Sequence, residues 1–310
     1  MNNVSIVATG SYLPKNKVNN TTIAKELNVT EDYIFKRTGI KSRHFSLNET
    51  IEEMAFNSIH NLMCKNQRVD INKVGLIIVA TTSTKLLMPG ISYKIQEHFN
   101  IKKCMCLDIL AGCSGFINAM DIARNYISIG KINRALVVGV DLLSDFTDKT
   151  DLSTAILFAD GAGAVLLEET KINKKYESII KSEGQKGNYL ISKSNENIKL
   201  DGKNIYKYAV TETVDSIKNL LKISNTNIED IKYIIPHQSN IKILKSIANR
   251  LKIGIEKIYT NIENSGNTFC ASIPIALNEM VENNLLQKDD KIILLGYGGG
   301  LNTGSILLEI

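Results

Sequence analysis

No tryptophan occurs in these 310 residues, and no apolar run approaches the roughly eighteen residues of a membrane span. The N-terminal stretch lacks a basic segment followed by an apolar core, which argues against a secretory signal. The five cysteines are odd in number and form no CxxC pair, so reduced thiols in a cytoplasm are expected. No His, Cys, Asp or Glu cluster has metal-ligand spacing, so no metal is expected. The net charge of +5 is spread along the chain rather than gathered in an Arg/Lys stripe with aromatics, which argues against a nucleic-acid binder. With 44% apolar and 22% charged residues, what remains is a globular protein with chain enough for about two domains.

Strand-like and helix-like stretches alternate from end to end. Residues 74–82, 135–140, 163–168, 231–235, 291–296 and 305–309 read as buried strands. Amphipathic stretches at 51–63, 91–99 and 209–221 lie between them and read as helices. The alternation predicts an α/β layered fold. The chain also repeats itself. A shift of 157 residues lays Leu76-Ile77-Ile78 on Tyr233-Ile234-Ile235, Leu136–Gly139 on Ile293–Gly296, and Cys113 on Cys270. Three matches in order at one shift predict an internal duplication. Its halves are 1–170 and 171–310, with the boundary in the charged run 168–175, and 183–203 reads as polar loop.

Four stretches carry the chemistry. In Asp108–Phe116 an apolar run ends in small residues around Cys113, and a helical pattern follows. A thiol at a helix start is expected to ionise below its free value of about 8.5; the bland alternative is a small buried hydrophobe. Of four histidines, His44, His60 and His98 read as surface residues, whereas His237 directly follows an apolar strand, where α/β sheets bind ligands. Asn267 lies in a small-residue turn before a helix and reads as a cleft donor or as an N-cap. The Gly298–Gly300 loop lacks a phosphate-loop pattern but lets backbone N–H groups approach a substrate.

With these stretches in view, the chain resembles the β-ketoacyl-acyl-carrier-protein synthase III family of the thiolase superfamily. The resemblance runs through residues 9–14, 36–40, 79–83, Gly112–Phe116, 158–164, Pro236–Asn240, 266–268 and Gly298–Gly300. It implies a thiolase-like fold of two duplicated α/β halves in five layers (αβαβα), in a cytoplasmic homodimer. The implied activity is a decarboxylating Claisen condensation of an acyl-thioester, acyl-coenzyme A, with malonyl-acyl-carrier protein. The implied catalytic residues are Cys113 as nucleophile with His237 and Asn267, and the oxyanion hole is the N–H groups of Cys113 and Gly299. Substrate binding is implied for Tyr33, Arg37, Met88, Leu143, Phe158, Gly202 and Asn240, with Met88 reaching across the dimer. Lys207, Lys242 and Arg250 are implied to dock the acidic carrier protein. Tyr297 stands where degradative thiolases carry a second catalytic cysteine, and Cys270 reads as packing. Tyr33 and Leu152 replace the usual Trp and Arg clamp on adenine, which removes a guanidinium. The alternatives are therefore a carrier-bound or unusual acyl donor in a specialised pathway and, outside enzymology, a silent scaffold of the same fold.

Overall fold

The computed structural model describes residues 2–66, 69–193 and 196–310. Two mixed sheets form its frame. The first runs Asn3–Tyr12, Gly161–Thr170, Arg134–Asp141, Leu76–Ala80, Met105–Ile109; the second runs Tyr176–Ser182, Asn302–Glu309, Lys291–Gly298, Ile231–Pro236. Strand directions agree position for position: two antiparallel pairings and then a parallel one, with a second parallel pairing to Met105–Ile109 in the first sheet alone.

The apolar strands read from sequence are buried on both faces, and their alternation sorts side chains between two cores. Leu76, Ile78, Ala135, Val137, Ile292 and Leu294 meet in a middle core with the helices Gly115–Ser128 and Ser272–Glu282. The alternate residues Ile77, Val79, Leu136 and Val138 face Ile51–Lys65 and Ile91–His98 instead. Ile293 and Leu295 face Gly202–Ile223 and Ile241–Leu251. The order is helices, sheet, helices, sheet, helices. The two middle helices are wrapped in apolar contact on nearly every side, which explains their small residues: Ala119, Ala123 and Ala276 are fully buried.

Two readings change. Residues 183–203 are not simply loop: the antiparallel strands Leu190–Lys193 and Glu196–Leu200 lie there. Ile198 is buried and Leu190 and Leu200 are partly buried, but strands of four and five residues set among Ser, Lys, Glu and Asn give too short an alternation to read. The helix expected at 209–221 begins at Gly202, capped by Asp201, which accepts from the Asn204 N–H at 3.1 Å. No helix among the described residues is long and apolar enough to cross a membrane.

Candidate active site

Beyond Met105–Ile109 the chain turns at Gly112 (φ 58°), makes the short turn Gly112–Ser114 and enters Gly115–Ser128. A Cβ at Gly112 would strike the Gly299 carbonyl, so the left-handed turn and the close approach both demand glycine. Gly298 also lies against the thiol: a Cβ there would stand 2.7 Å from Cys113 Sγ. Two backbone groups, the N–H of Gly299 and that of Cys113, are directed at this sulfur and favour its thiolate. Burial and the Asp141 carboxylate outweigh them and push the thiol up to about 12. The lowered value expected from a helix start therefore does not hold, because the helix start is buried.

His237 follows the strand Ile231–Pro236 and is 1% exposed. Its backbone N–H donates to the Leu295 carbonyl at 2.7 Å, and its Nδ1 lies 2.7 Å from Ser272 Oγ. The ring packs edge-on against Tyr297 and Phe269, at 5.3 and 6.4 Å between centroids. Burial pushes the imidazole down to about 3, so it is neutral at physiological pH. Asn267 is clamped on three sides. Its N–H donates to Leu157, its carbonyl accepts from Ala159, and its Oδ1 accepts from the Phe269 N–H at 3.1 Å. With Oδ1 taken, the NH₂ group is left as a donor.

The structure brings Cys113, His237 and Asn267 together: all three line one cavity of about 90 Å³, with Phe158, Phe269 and Tyr297. Gly202 and Asn240 line both this cavity and a mouth of about 750 Å³, where Arg37, Leu152, Lys203 and Lys242 also stand. A further cavity of about 430 Å³ reaches Cys113 beside Leu110, Leu190, Gly299 and Asn302. Leu143 and Phe158 pack with Cys113 in one apolar cluster.

The remaining expected residues are farther out. The Arg37 guanidinium lies 5.4 Å above the Tyr33 ring, and Tyr33 packs with Leu152 against Ile23, Ile34 and Ile156. Met88 is 85% exposed, outside these cavities in its own chain. Lys207 and Arg250 are exposed helix residues, Arg250 donating to Thr211 Oγ1 at 3.4 Å. His60 and His98 are exposed as expected, but His44 is half-buried, with Nδ1 on the Pro14 carbonyl at 2.6 Å.

Two residues at the site were not singled out from sequence. Asp141, fully buried, accepts from the Thr82 and Cys270 N–H groups and from the hydroxyls of Thr81, Thr82 and Ser83. Its signal was a carboxylate closing an otherwise apolar strand. Ser272, under His237, gave no signal beyond opening a helix.

Comparison with known proteins settles the family. The 3-oxoacyl-[acyl-carrier-protein] synthase III model matches residues 107–186, and the model of that enzyme's C-terminal part matches 221–310. The β-ketoacyl-[acyl-carrier-protein] synthase III of Clostridium novyi is 38% identical over all of this chain and 99% of its own length. The chain belongs to the β-ketoacyl-acyl-carrier-protein synthase III family. The Clostridium acetobutylicum protein of the same name is 36% identical over the same shares of both chains. The crystal structure of 3-oxoacyl-[acyl-carrier-protein] synthase III from Aquifex aeolicus superposes with a TM-score of 0.96 at 34% identity, covering 99% of this chain and 100% of the other. The fold is the thiolase-like α/β fold, and the chain is an acyltransferase-type condensing enzyme of fatty acid biosynthesis.

Proposed function

We propose that this family member condenses an acyl group from acyl-coenzyme A with malonyl-acyl-carrier protein through an acyl-Cys113 intermediate. Cys113 Sγ attacks the acyl-thioester, and the N–H groups of Gly299 and Cys113 hold the developing oxyanion. The coenzyme leaves as the thiol, carrying the proton that Cys113 gave up. Malonyl-carrier protein then enters the same cavity. His237 and the Asn267 NH₂ donate to its thioester oxygen, so the enolate left by loss of carbon dioxide is stabilised where it forms. The enolate carbon attacks acyl-Cys113, the C–S bond breaks, and 3-oxoacyl-carrier protein leaves the regenerated cysteine.

The observation that carries this reading is one cavity holding a thiol met by two backbone N–H groups, a neutral histidine and an amide with its oxygen already engaged. On the same reading, Leu143 and Phe158 bound the acyl group, and Tyr33, Arg37, Gly202 and Asn240 hold the pantetheine and nucleotide. Lys207, Lys242 and Arg250 meet the acidic carrier protein. A homodimer forms across the free edge of Met105–Ile109, flanked by the exposed Leu87, Met88 and Leu110, so that Met88 enters the partner's acyl pocket. The halves 1–170 and 171–310 supply the nucleophile and the donor pair respectively, and the enzyme works in the cytoplasm without a cofactor.

The test has two arms. Intact mass after incubation with acyl-coenzyme A should rise by one acyl group on Cys113. Carbon dioxide should then be released from malonyl-carrier protein with formation of 3-oxoacyl-carrier protein. Failure of either arm refutes the corresponding half-reaction.

A further inference from the structure

The imidazole of His237 can present either a lone pair or an N–H to the cavity, and the two serve opposite chemistry. Nδ1 is turned to Ser272, so the other nitrogen, Nε2, meets the substrate. We propose that Ser272 is a positioning residue whose hydroxyl donates to Nδ1 and thereby keeps the ring proton on Nε2, making His237 a neutral donor and denying it the role of base. The proposal rests on the condensation reading above and assigns a residue beneath the cavity that the three lining residues do not explain.

Three contacts converge on Ser272 Oγ. His237 Nδ1 lies at 2.7 Å, the Gln238 N–H donates from 3.3 Å, and the Phe269 carbonyl is 2.9 Å away. The hydroxyl has one proton and two takers. The Phe269 carbonyl already accepts the Ser272 backbone N–H, whereas an unprotonated Nδ1 would have nothing else to bond among the described residues. Donation to Nδ1 thus satisfies every group around the serine: Oγ receives Gln238, Phe269 keeps its backbone donor, and Nδ1 is paired.

The reverse arrangement would place the hydroxyl proton on Phe269 and the ring proton on Nδ1. It would then aim an Nε2 lone pair into the cavity that the Asn267 NH₂ donor also lines. Asn267 cannot turn to compensate without abandoning the Phe269 N–H. A thioester oxygen would meet one donor and one lone pair, and the enolate would be repelled by the second. Nor do the described residues place a counter-ion beside the ring to hold an imidazolium. Ser272, Phe269 and Tyr297 surround the ring, and burial alone sets its low affinity for a proton. A neutral imidazole is a sufficient donor to a developing oxyanion.

The test reads the tautomer directly. In protein labelled with ¹⁵N-histidine, the His237 ring signals, assigned by their loss in His237→Gln, should show Nε2 protonated and Nδ1 bare at neutral pH. Ser272→Ala should give a mixture of both tautomers and slow carbon dioxide release from malonyl-carrier protein about tenfold, the loss of roughly one net hydrogen bond. Acylation of Cys113 in the same variant should stay within about twofold, which also shows that it folds. Ser272→Thr, which keeps the hydroxyl, should restore both the tautomer and the release. A wild-type spectrum with Nδ1 protonated overturns the proposal. So does a Ser272→Ala enzyme with wild-type tautomer and wild-type release. A wild-type enzyme that acylates but releases no carbon dioxide overturns the condensation reading, and with it the use of the tautomer.

Discussion

Cys113 and Cys270 occupy matching places in the two halves of the molecule. Each lies in a short 3-10 turn leading into a helix of the middle layer, Gly115–Ser128 for one and Ser272–Glu282 for the other. Both are buried, and burial together with the Asp141 carboxylate pushes both thiols up. They differ in what faces the sulfur. Cys113 meets the N–H groups of Gly299 and its own residue and borders two cavities. Cys270 Sγ donates to the Gly112 carbonyl at 3.1 Å and lies 3.3 Å from where a Cβ on Gly115 would stand, sealed under the nucleophile's turn. Position at a helix start is common to both and so does not make a nucleophile; open space and converging donors do.

The widest separation between the two comes from deleting each thiol. Cys113→Ala should lose acyl transfer completely, with no acyl mass gained. Cys270→Ala should acylate within a few-fold of wild type, because its sulfur borders none of the described cavities. Loss of the acyl mass in Cys270→Ala would break the comparison.

Reactivity toward iodoacetamide sharpens it next. The thiolate is the nucleophile, and a pKa raised from 9.0 to about 12 leaves roughly a thousandfold less thiolate on Cys113 at neutral pH. The exposed Cys64 should therefore label first, and Cys113 slowly. Because the folded-state value is raised, the Cys113 rate should climb about tenfold per pH unit and level off only near 12. A plateau near pH 8 would mean that the donors win over burial after all.

The second pair of donors comes next in size. His237→Ala or Asn267→Ala should cut carbon dioxide release from malonyl-carrier protein about 100- to 1000-fold, the typical loss of one positioned oxyanion donor. Self-acylation of Cys113 should survive in both. Equal loss of the two half-reactions in His237→Ala would make the histidine a base for Cys113 and remove the distinction between the nucleophile's donors and the enolate's.

How far the sequence reaches follows the same line. Strands such as Leu76–Ala80 were legible because burial on both faces forces an unbroken apolar run. Cys113, His237 and Asn267 were legible because each sits among small or polar residues just beyond such a run, and because the motifs around them resemble one family. Asp141 and Ser272 were not, since their work lies in contacts across the fold. Asp141 holds the Cys270 N–H from 129 positions away, and Ser272 meets His237 from 35. The Cys113 pKa failed for a related reason. The helix start is written locally, but the layers that bury it come from both halves of the chain. The strand pair Leu190–Lys193 and Glu196–Leu200 was missed for a different one: each strand is too short, and too mixed with Ser, Lys, Glu and Asn, to show a hydrophobic pattern.

The smallest effect belongs to the rim, where the comparison is between buried donors and exposed charge. Lys242 lines the mouth and is exposed at the start of the helix Ile241–Leu251, two residues after the capping Asn240. A charge there is hydrated in both free and bound states and gains little on docking, so its contribution is to the encounter with an acidic carrier protein. Lys242→Glu should raise the apparent KM for malonyl-carrier protein by about two- to fivefold at low salt. At about 0.5 M salt, where the Debye length falls to a few ångströms, most of that difference should vanish. Self-acylation from a small donor such as an acyl-N-acetylcysteamine should not change, because that step brings no charged carrier to the rim. If Lys242→Glu slows both steps alike and salt does not rescue it, the substitution has disturbed the Asn240 cap beneath it, and the lysine is not a docking residue.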